Sequence, residues 1–165
     1  MDAQVVVFNS GYRSWVSDRG LGPLAFWPVG SQPCIVRLFV SLANEGVERV
    51  LIYCDRLHPL RLDGLATPDG LQVRAVVDQD ISGTAGMLRL AVDSEVPGPI
   101  VILPVNMVDP PEVWTLLDLH RQGGADLTLF ADPHSGGDIL EIYVCSPEVL
   151  SHIPPQGYWD IKERL

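Results

Sequence analysis

The chain begins with an uninterrupted apolar run, Val5-Val6-Val7-Phe8, that breaks abruptly at Asn9-Ser10-Gly11. Such a run, without polar alternation, predicts a short strand buried on both faces. Similar runs recur in VERVLIYC (47–54), LQVRAVVDQ (71–79) and PIVILPV (99–105), with further strands predicted in ADLTLF (125–130) and ILEIYVCS (139–146). Between them the period changes. In PCIVRLFVSLANEG (33–46), Ile35, Leu38, Phe39 and Leu42 recur at intervals of three and four, which places them on one face of a helix. Pro33 suits its first turn, and Asn44 to Gly46 supply its stop.

SGTAGMLRLAVDSE (82–95) predicts a second helix. A third runs through VWTLLDLHRQGG (113–124), with Asp109 expected as its cap, Pro110 at the first helical position and Glu112 at the third. Ser146-Pro147-Glu148 opens a short helix that ends before IPPQ. Residues 9–32 and 55–70 carry the turn residues of irregular connections.

Strand and helix alternate with short joints, so the expected fold class is α/β: a Rossmann-like, mostly parallel sheet with helices on both faces. Ligands in such folds bind beyond the carboxyl ends of the strands. The residues leaving those ends are Asn9 to Ser14, Cys54 to Arg56, Gln79 to Thr84 and Val105 to Asp109.

Composition narrows the function classes. A chain of 165 residues with 47 % hydrophobic and 19 % charged residues suits one globular domain spanning 1–165. Its net charge of −10 argues against bare nucleic acid and anionic lipid as partners. No run reaches the ~20 apolar residues of a spanning helix, and no basic stretch precedes the first strand, so a cytoplasmic, non-membrane protein is expected. Cys34, Cys54 and Cys145 are far apart in apolar stretches. They suit buried thiols in a reducing compartment better than disulfides or a metal site. Asp132, His134 and Asp138 lie close together beside Gly136-Gly137 and read as turn formers before metal ligands.

Two segments carry a family likeness. SGTAGMLRLA (82–91) resembles the Gly-Thr-Ala-Gly-Ala-Leu motif of the sugar-1-phosphate nucleotidyltransferases, of the mannose-1-phosphate guanylyltransferase or glucose-1-phosphate thymidylyltransferase type. IYVCSPEVLSHIPPQGYWDIKERL (142–165) resembles the same family's Ser-Pro-Glu-Val-Leu, Ile-Pro, aromatic-Asp-Ile-Lys ending. The resemblance implies a nucleotide-diphospho-sugar transferase-like fold and, in active members, a Mg²⁺-dependent transfer that releases pyrophosphate. Active members also continue past the position of Leu165, which implies a shortened domain.

The positions that match the catalytic motifs depart from them. In the loop after the first strand Gly11 is kept, but Arg13 stands for a glycine and Trp15 for an arginine. Leu24 stands where the family has its phosphate-binding lysine, and Asn106 where it has a magnesium-binding aspartate. The Glu-Lys-Pro segment that contacts the sugar phosphate has no counterpart between the last two strands. A leucine cannot neutralise phosphoryl charge, and a neutral amide is a poor substitute for an anionic magnesium ligand.

The resulting expectation is a catalytically silent domain serving as a protein-interaction, assembly or regulatory module, with no cofactor. Its partner would be another protein, an active paralogue or a second copy. Tyr12, Trp15, Trp27 and Trp159 are the candidate interaction residues. Two alternatives stay open. An atypical transferase would use Mg²⁺ with Asp109 as ligand. A sensor would hold a nucleotide or nucleotide sugar at Gly11, Gln79, Gly83 and Thr84, where a helix N-terminus could lodge an anion or ribose.

Overall fold

The computed structural model describes residues 3–9, 23–56, 59–80, 82–91, 98–132, 134 and 139–161. Strand β1 (Gln4–Asn9) is buried at all six positions. It lies between β4 (Arg49–Asp55) and β6 (Ile100–Pro104), parallel to both, with Val6 opposite Leu51 on one side and Ile102 on the other. β5 (Gln72–Asp78) extends the parallel set beyond β4. On the other side β8 (Ile139–Cys145) runs antiparallel to β6, and β7 (Leu127–Ala131) antiparallel to β8. The six-stranded order is β5-β4-β1-β6-β8-β7. A small hairpin, β2 (Pro28–Val29) with β3 (Gln32–Pro33), stands apart from it.

Side chains alternate between the two faces of the sheet, and each face has its own core. Val5, Val7, Ile52, Cys54, Val101 and Leu103 pack with Ile35, Leu38, Phe39 and Leu42 of α1 (Cys34–Asn44) and with Leu116 and Leu117 of α3 (Val113–Gly123). Val6, Phe8, Tyr53, Ile100, Ile102 and Tyr143 pack with Ala85 and Leu88 of α2 (Gly83–Ala91). Val149, Ile153 and Ile161 from the last segment complete that second core. The Rossmann-like, mostly parallel sheet covered on both faces is therefore present. Among the described residues no helix is long and apolar enough to cross a membrane.

Helix α1 begins one residue later than the pattern predicts. Pro33 is extended and flanks it, and the Cys34 N–H donates to the Trp27 carbonyl at 2.9 Å. Its end follows expectation. Gly46 has φ 78°, its N–H donates to Ala43 at 2.9 Å, and the Val47 N–H donates to Leu42 at 3.0 Å. These two bonds satisfy carbonyls that the last turn would otherwise leave free, and the left-handed backbone they require is cheapest at glycine.

The expected cap of α3 is corrected. Asp109 is exposed and the helix starts only at Val113, with Glu112 flanking it and making no side-chain cap. The physical reason is the Pro110-Pro111 pair: a residue before proline is pushed out of the helical region. The free donor is met from a distance. The Val113 N–H donates to Oε2 of Glu45, at the end of α1, at 2.6 Å, and Trp114 Nε1 donates to the Glu45 carbonyl at 3.4 Å. Burial pushes the Glu45 carboxyl up from its ordinary range, the Val113 bond pulls it back, and the neighbouring Glu112 adds to the rise.

At the amino edge of the parallel strands His120 of α3 is buried between two hydroxyls. Its Nδ1 lies 2.8 Å from Thr128 Oγ1 of β7, and its Nε2 lies 3.3 Å from Ser146 Oγ beyond β8. Burial holds the imidazole below its usual pKa, with Arg121 adding to the effect and Asp126 opposing it.

Replacing Glu45 by Ala removes the only carboxylate on the Val113 donor among the described residues. It is expected to cost about 1 kcal/mol in urea unfolding, whereas Asp109→Ala should stay within about 0.5 kcal/mol. For His120 the unfolded chain takes up a proton near pH 6.5 that the folded chain resists. Stability should therefore fall as pH drops below about 6.5 and level off once the folded imidazole is also protonated. Urea midpoints against pH measure this, and the slope should shrink in His120→Gln.

Candidate functional site

The carboxyl ends of β5, β4, β1 and β6 lie together at one edge, where ligands are expected in this architecture. Its best-defined part is the turn from β5 into α2. Asp78, the last residue of β5, is 2 % exposed. Its carboxylate accepts the Asp80 N–H at 2.9 Å, the Ser82 hydroxyl at 3.1 Å and the Ser82 N–H. A buried carboxylate needs such donors, and here three of them close the chain into a fixed turn. The Asp78 carbonyl also accepts the Arg56 N–H at 3.0 Å, tying the exits of β4 and β5 together.

Gly83 opens α2 with φ 77°. A Cβ there would lie 2.3 Å from the carbonyl oxygen of Trp159, so both the backbone angle and the space require glycine. The segment around Trp159 is strapped onto the turn. The Trp159 N–H donates to the Ser82 carbonyl at 2.8 Å, and the Trp159 carbonyl accepts the Ala85 N–H at 3.0 Å. The Ile161 N–H donates to Thr84 Oγ1 at 2.9 Å. Farther along α2, Arg89 Nη1 donates to the Ile153 carbonyl at 2.7 Å. The strap therefore supplies one acceptor to the first turn of α2, and Thr84 is the acceptor for the strap.

The other candidates fall in three places. Gln79, Gly83 and Thr84 share the turn, with Gln79 exposed and Gly83 buried. Trp159 is brought against them, half-buried over the second core. Asn106 and Asp109 are exposed on the connection from β6 to α3, where the Val105 N–H donates to the Phe8 carbonyl at 2.9 Å. Leu24 and Trp27 lie on a 3-10 turn (Leu24–Phe26) and its end, both half-buried, with the Trp27 N–H donating to the Leu24 carbonyl at 3.1 Å. Gly11, Tyr12, Arg13 and Trp15 lie outside the described residues.

Among the described residues, the interactions seen at this edge are hydrogen bonds. Cys34, Cys54 and Cys145 are buried and in no disulfide. Burial pushes the Cys145 thiol up to about 12 and raises Cys34 as well, with the Arg37 charge partly opposing the latter, so neither is a ready nucleophile. Among the described residues no three His, Cys, Asp or Glu side chains are placed to hold a metal ion. Asp132 accepts the His134 N–H at 2.8 Å, a local turn bond, and Asp138 lies outside the described residues.

Sequence reasoning overlooked two features of this edge. The Asp78 turn had a signal, an Asp four residues before Ser82 at a helix entrance. The Tyr53 hydroxyl, fully buried, had none, because the core that holds its ring is assembled from strands and a helix far apart in sequence.

No protein-family model and no curated protein sequence matches the chain. Solved structures do. The structure of HddC from Yersinia pseudotuberculosis superposes with a TM-score of 0.67 at 14 % identity, covering 98 % of this chain and 83 % of that one. A provisionally named glucose-1-phosphate thymidylyltransferase from Bacillus anthracis, in complex with sucrose, gives 0.65 at 14 %, over 91 % of this chain and 74 % of that one. Rv0371c from Mycobacterium tuberculosis, in complex with manganese, gives 0.63 at 13 %, over 96 % and 78 %. The chain thus has the fold of these three proteins across nearly its full length.

Gly83→Ala should destabilise the protein by more than about 1 kcal/mol, since Ala at positive φ is strained even before the Trp159 carbonyl is displaced. Thr84→Val leaves the Ile161 N–H without its acceptor and should cost about 1 kcal/mol. Amide exchange at Ile161 would rise in both. Unchanged protection there would show that the strap does not depend on these two residues.

Proposed function

We propose that the chain is a nucleotidyltransferase-like domain, spanning 1–165, that does not carry out the transfer step and acts by binding. The observation that carries this reading is the pair Leu24 and Asn106. By the resemblance they stand at the lysine and aspartate positions, and they bring an aliphatic side chain and a neutral amide to them. Phosphoryl transfer depends almost wholly on positioning and on stabilising charge. Losing one well-placed stabilising donor lowers rates by roughly two to three orders of magnitude, and here two charged groups are replaced. HddC has been seen with GMP-PN, and Rv0371c with manganese. By the resemblance, Asn106 would stand at the metal position in this chain, and the carboxylates on that connection are Asp109 and Glu112.

A protein partner, an active paralogue or a second copy is the ligand this reading calls for. Exposed Trp114, Leu119, Leu90 and Tyr158 are among the large apolar side chains available for such contact. A second reading, binding of a nucleotide or nucleotide sugar without turnover, is favoured by the Asp78 turn. It holds Gln79 at the carboxyl edge on a backbone fixed by three hydrogen bonds.

Purified protein with Mg²⁺ is expected to release no pyrophosphate from GTP, dTTP or UTP with mannose 1-phosphate or glucose 1-phosphate. Sustained turnover that disappears in Asp109→Ala would replace this reading with that of an atypical transferase. Binding of nucleotide sugars without turnover, measured by calorimetry, would favour the second reading.

A further inference from the structure

Tyr53 is among the largest fully buried side chains, at 0 % exposure, and its hydroxyl has no hydrogen-bond partner among the described residues. Leaving a buried hydroxyl unsatisfied is destabilising, and native structures keep few such groups. Its position is specific. Tyr53 lies two residues before the carboxyl end of β4, its side chain stands on the α2 face, and its ring meets Phe8 of β1 edge-on at 6.2 Å and 77°. It is thus at the same edge as the Asp78 turn.

The surroundings define what the hydroxyl can do. Burial raises its pKa, and the Asp78, Cys54 and Asp80 side chains raise it further, so it remains a neutral O–H donor throughout the physiological range. The nearest buried carboxylate is already engaged, since Asp78 accepts from Asp80 and Ser82. A phosphate is a poor match, because the carboxylates of Asp78 and Asp80 repel anions at this position. A carbonyl oxygen or a ring nitrogen of an uncharged heterocycle fits the donor without that repulsion. The hydroxyl is enclosed in the free protein, so such a contact forms only when a ligand displaces the atoms over it.

We propose that Tyr53 is a specificity-determining residue of this edge, donating its hydroxyl hydrogen to a neutral acceptor on the nucleoside part of a bound nucleotide or nucleotide sugar. This rests on the second reading above, binding without turnover. It adds to that reading an orientation, with the nucleoside inward at β4 and the phosphates outward, away from the two carboxylates. The orphaned hydroxyl then represents stability given up in the free protein for discrimination in the bound one.

The test compares wild type with Tyr53→Phe, which keeps the ring and removes only the hydroxyl. Guanosine, thymidine, GTP and dTTP are titrated by calorimetry, and the unliganded stability of both proteins is measured in urea. The expected result is that Tyr53→Phe is more stable than wild type without ligand, yet binds the best nucleoside about tenfold more weakly. The loss should be the same for that nucleoside and its triphosphate. If Tyr53→Phe binds as tightly as wild type, or if the loss is confined to the triphosphate, this assignment is overturned while the binding reading stands. A less stable Tyr53→Phe would show that the hydroxyl is already partnered in the free protein, which removes the premise. Absence of any binding by wild type at millimolar ligand removes the binding reading and the assignment together.

Discussion

Burial of β1 on both faces is the constraint from which the rest of the architecture follows. A strand with Val5 and Val7 on one side and Val6 and Phe8 on the other needs an apolar layer above and below. Parallel partners β4 and β6 meet the hydrogen bonds in the plane, and their connections must cross over the sheet. Those crossovers carry α1 and α3 to one face and α2 to the other. The parallel strands then finish together, and the polar residues Asn9 and Asp78 are buried at that shared edge because the apolar runs end there.

Two of the three α-helices among the described residues receive a hydrogen bond at their start from chain far away in sequence. Glu45 serves α3, and the carbonyl of Trp159 serves α2. The second case bears on function. Gly83 and Thr84 belong to the segment that most resembles a nucleotide-binding motif, yet Gly83 makes room for the Trp159 backbone and Thr84 accepts from Ile161. The motif therefore has a structural duty in this chain, independent of any ligand. Gln79, within the turn, is the member of the group whose side chain is exposed.

The fold was legible because its signals are local. Unbroken apolar runs marked the central strands, and the three-and-four spacing of Ile35, Leu38, Phe39 and Leu42 marked α1 and its buried face. Gly46 marked the end of that helix through a conformation that glycine adopts at least cost. What escaped depends on pairs distant in sequence. Asp109 looked like a cap because its neighbours fit the local pattern, but the two prolines delay the helix and the acceptor comes from Glu45. The hydroxyl partners of His120 lie on β7 and beyond β8, and the isolation of the Tyr53 hydroxyl is a property of packing between strands and α2. No spacing along the chain encodes either. The likeness carried through at the level of the fold, where the Bacillus anthracis structure superposes over 91 % of the chain.

The distribution of thiols gives the two layers separate reporters. Cys54 belongs to the core beneath α1 and α3, and Cys145 to the core beneath α2 and the last segment. An alkylating reagent reaches neither while both layers are closed. Detachment of the α2 layer alone would uncover Cys145 and leave Cys54 shielded, whereas loosening of the opposite layer would reverse the order. The relative labelling of two native cysteines can thus tell which side of the sheet opens first, without adding a probe to the molecule.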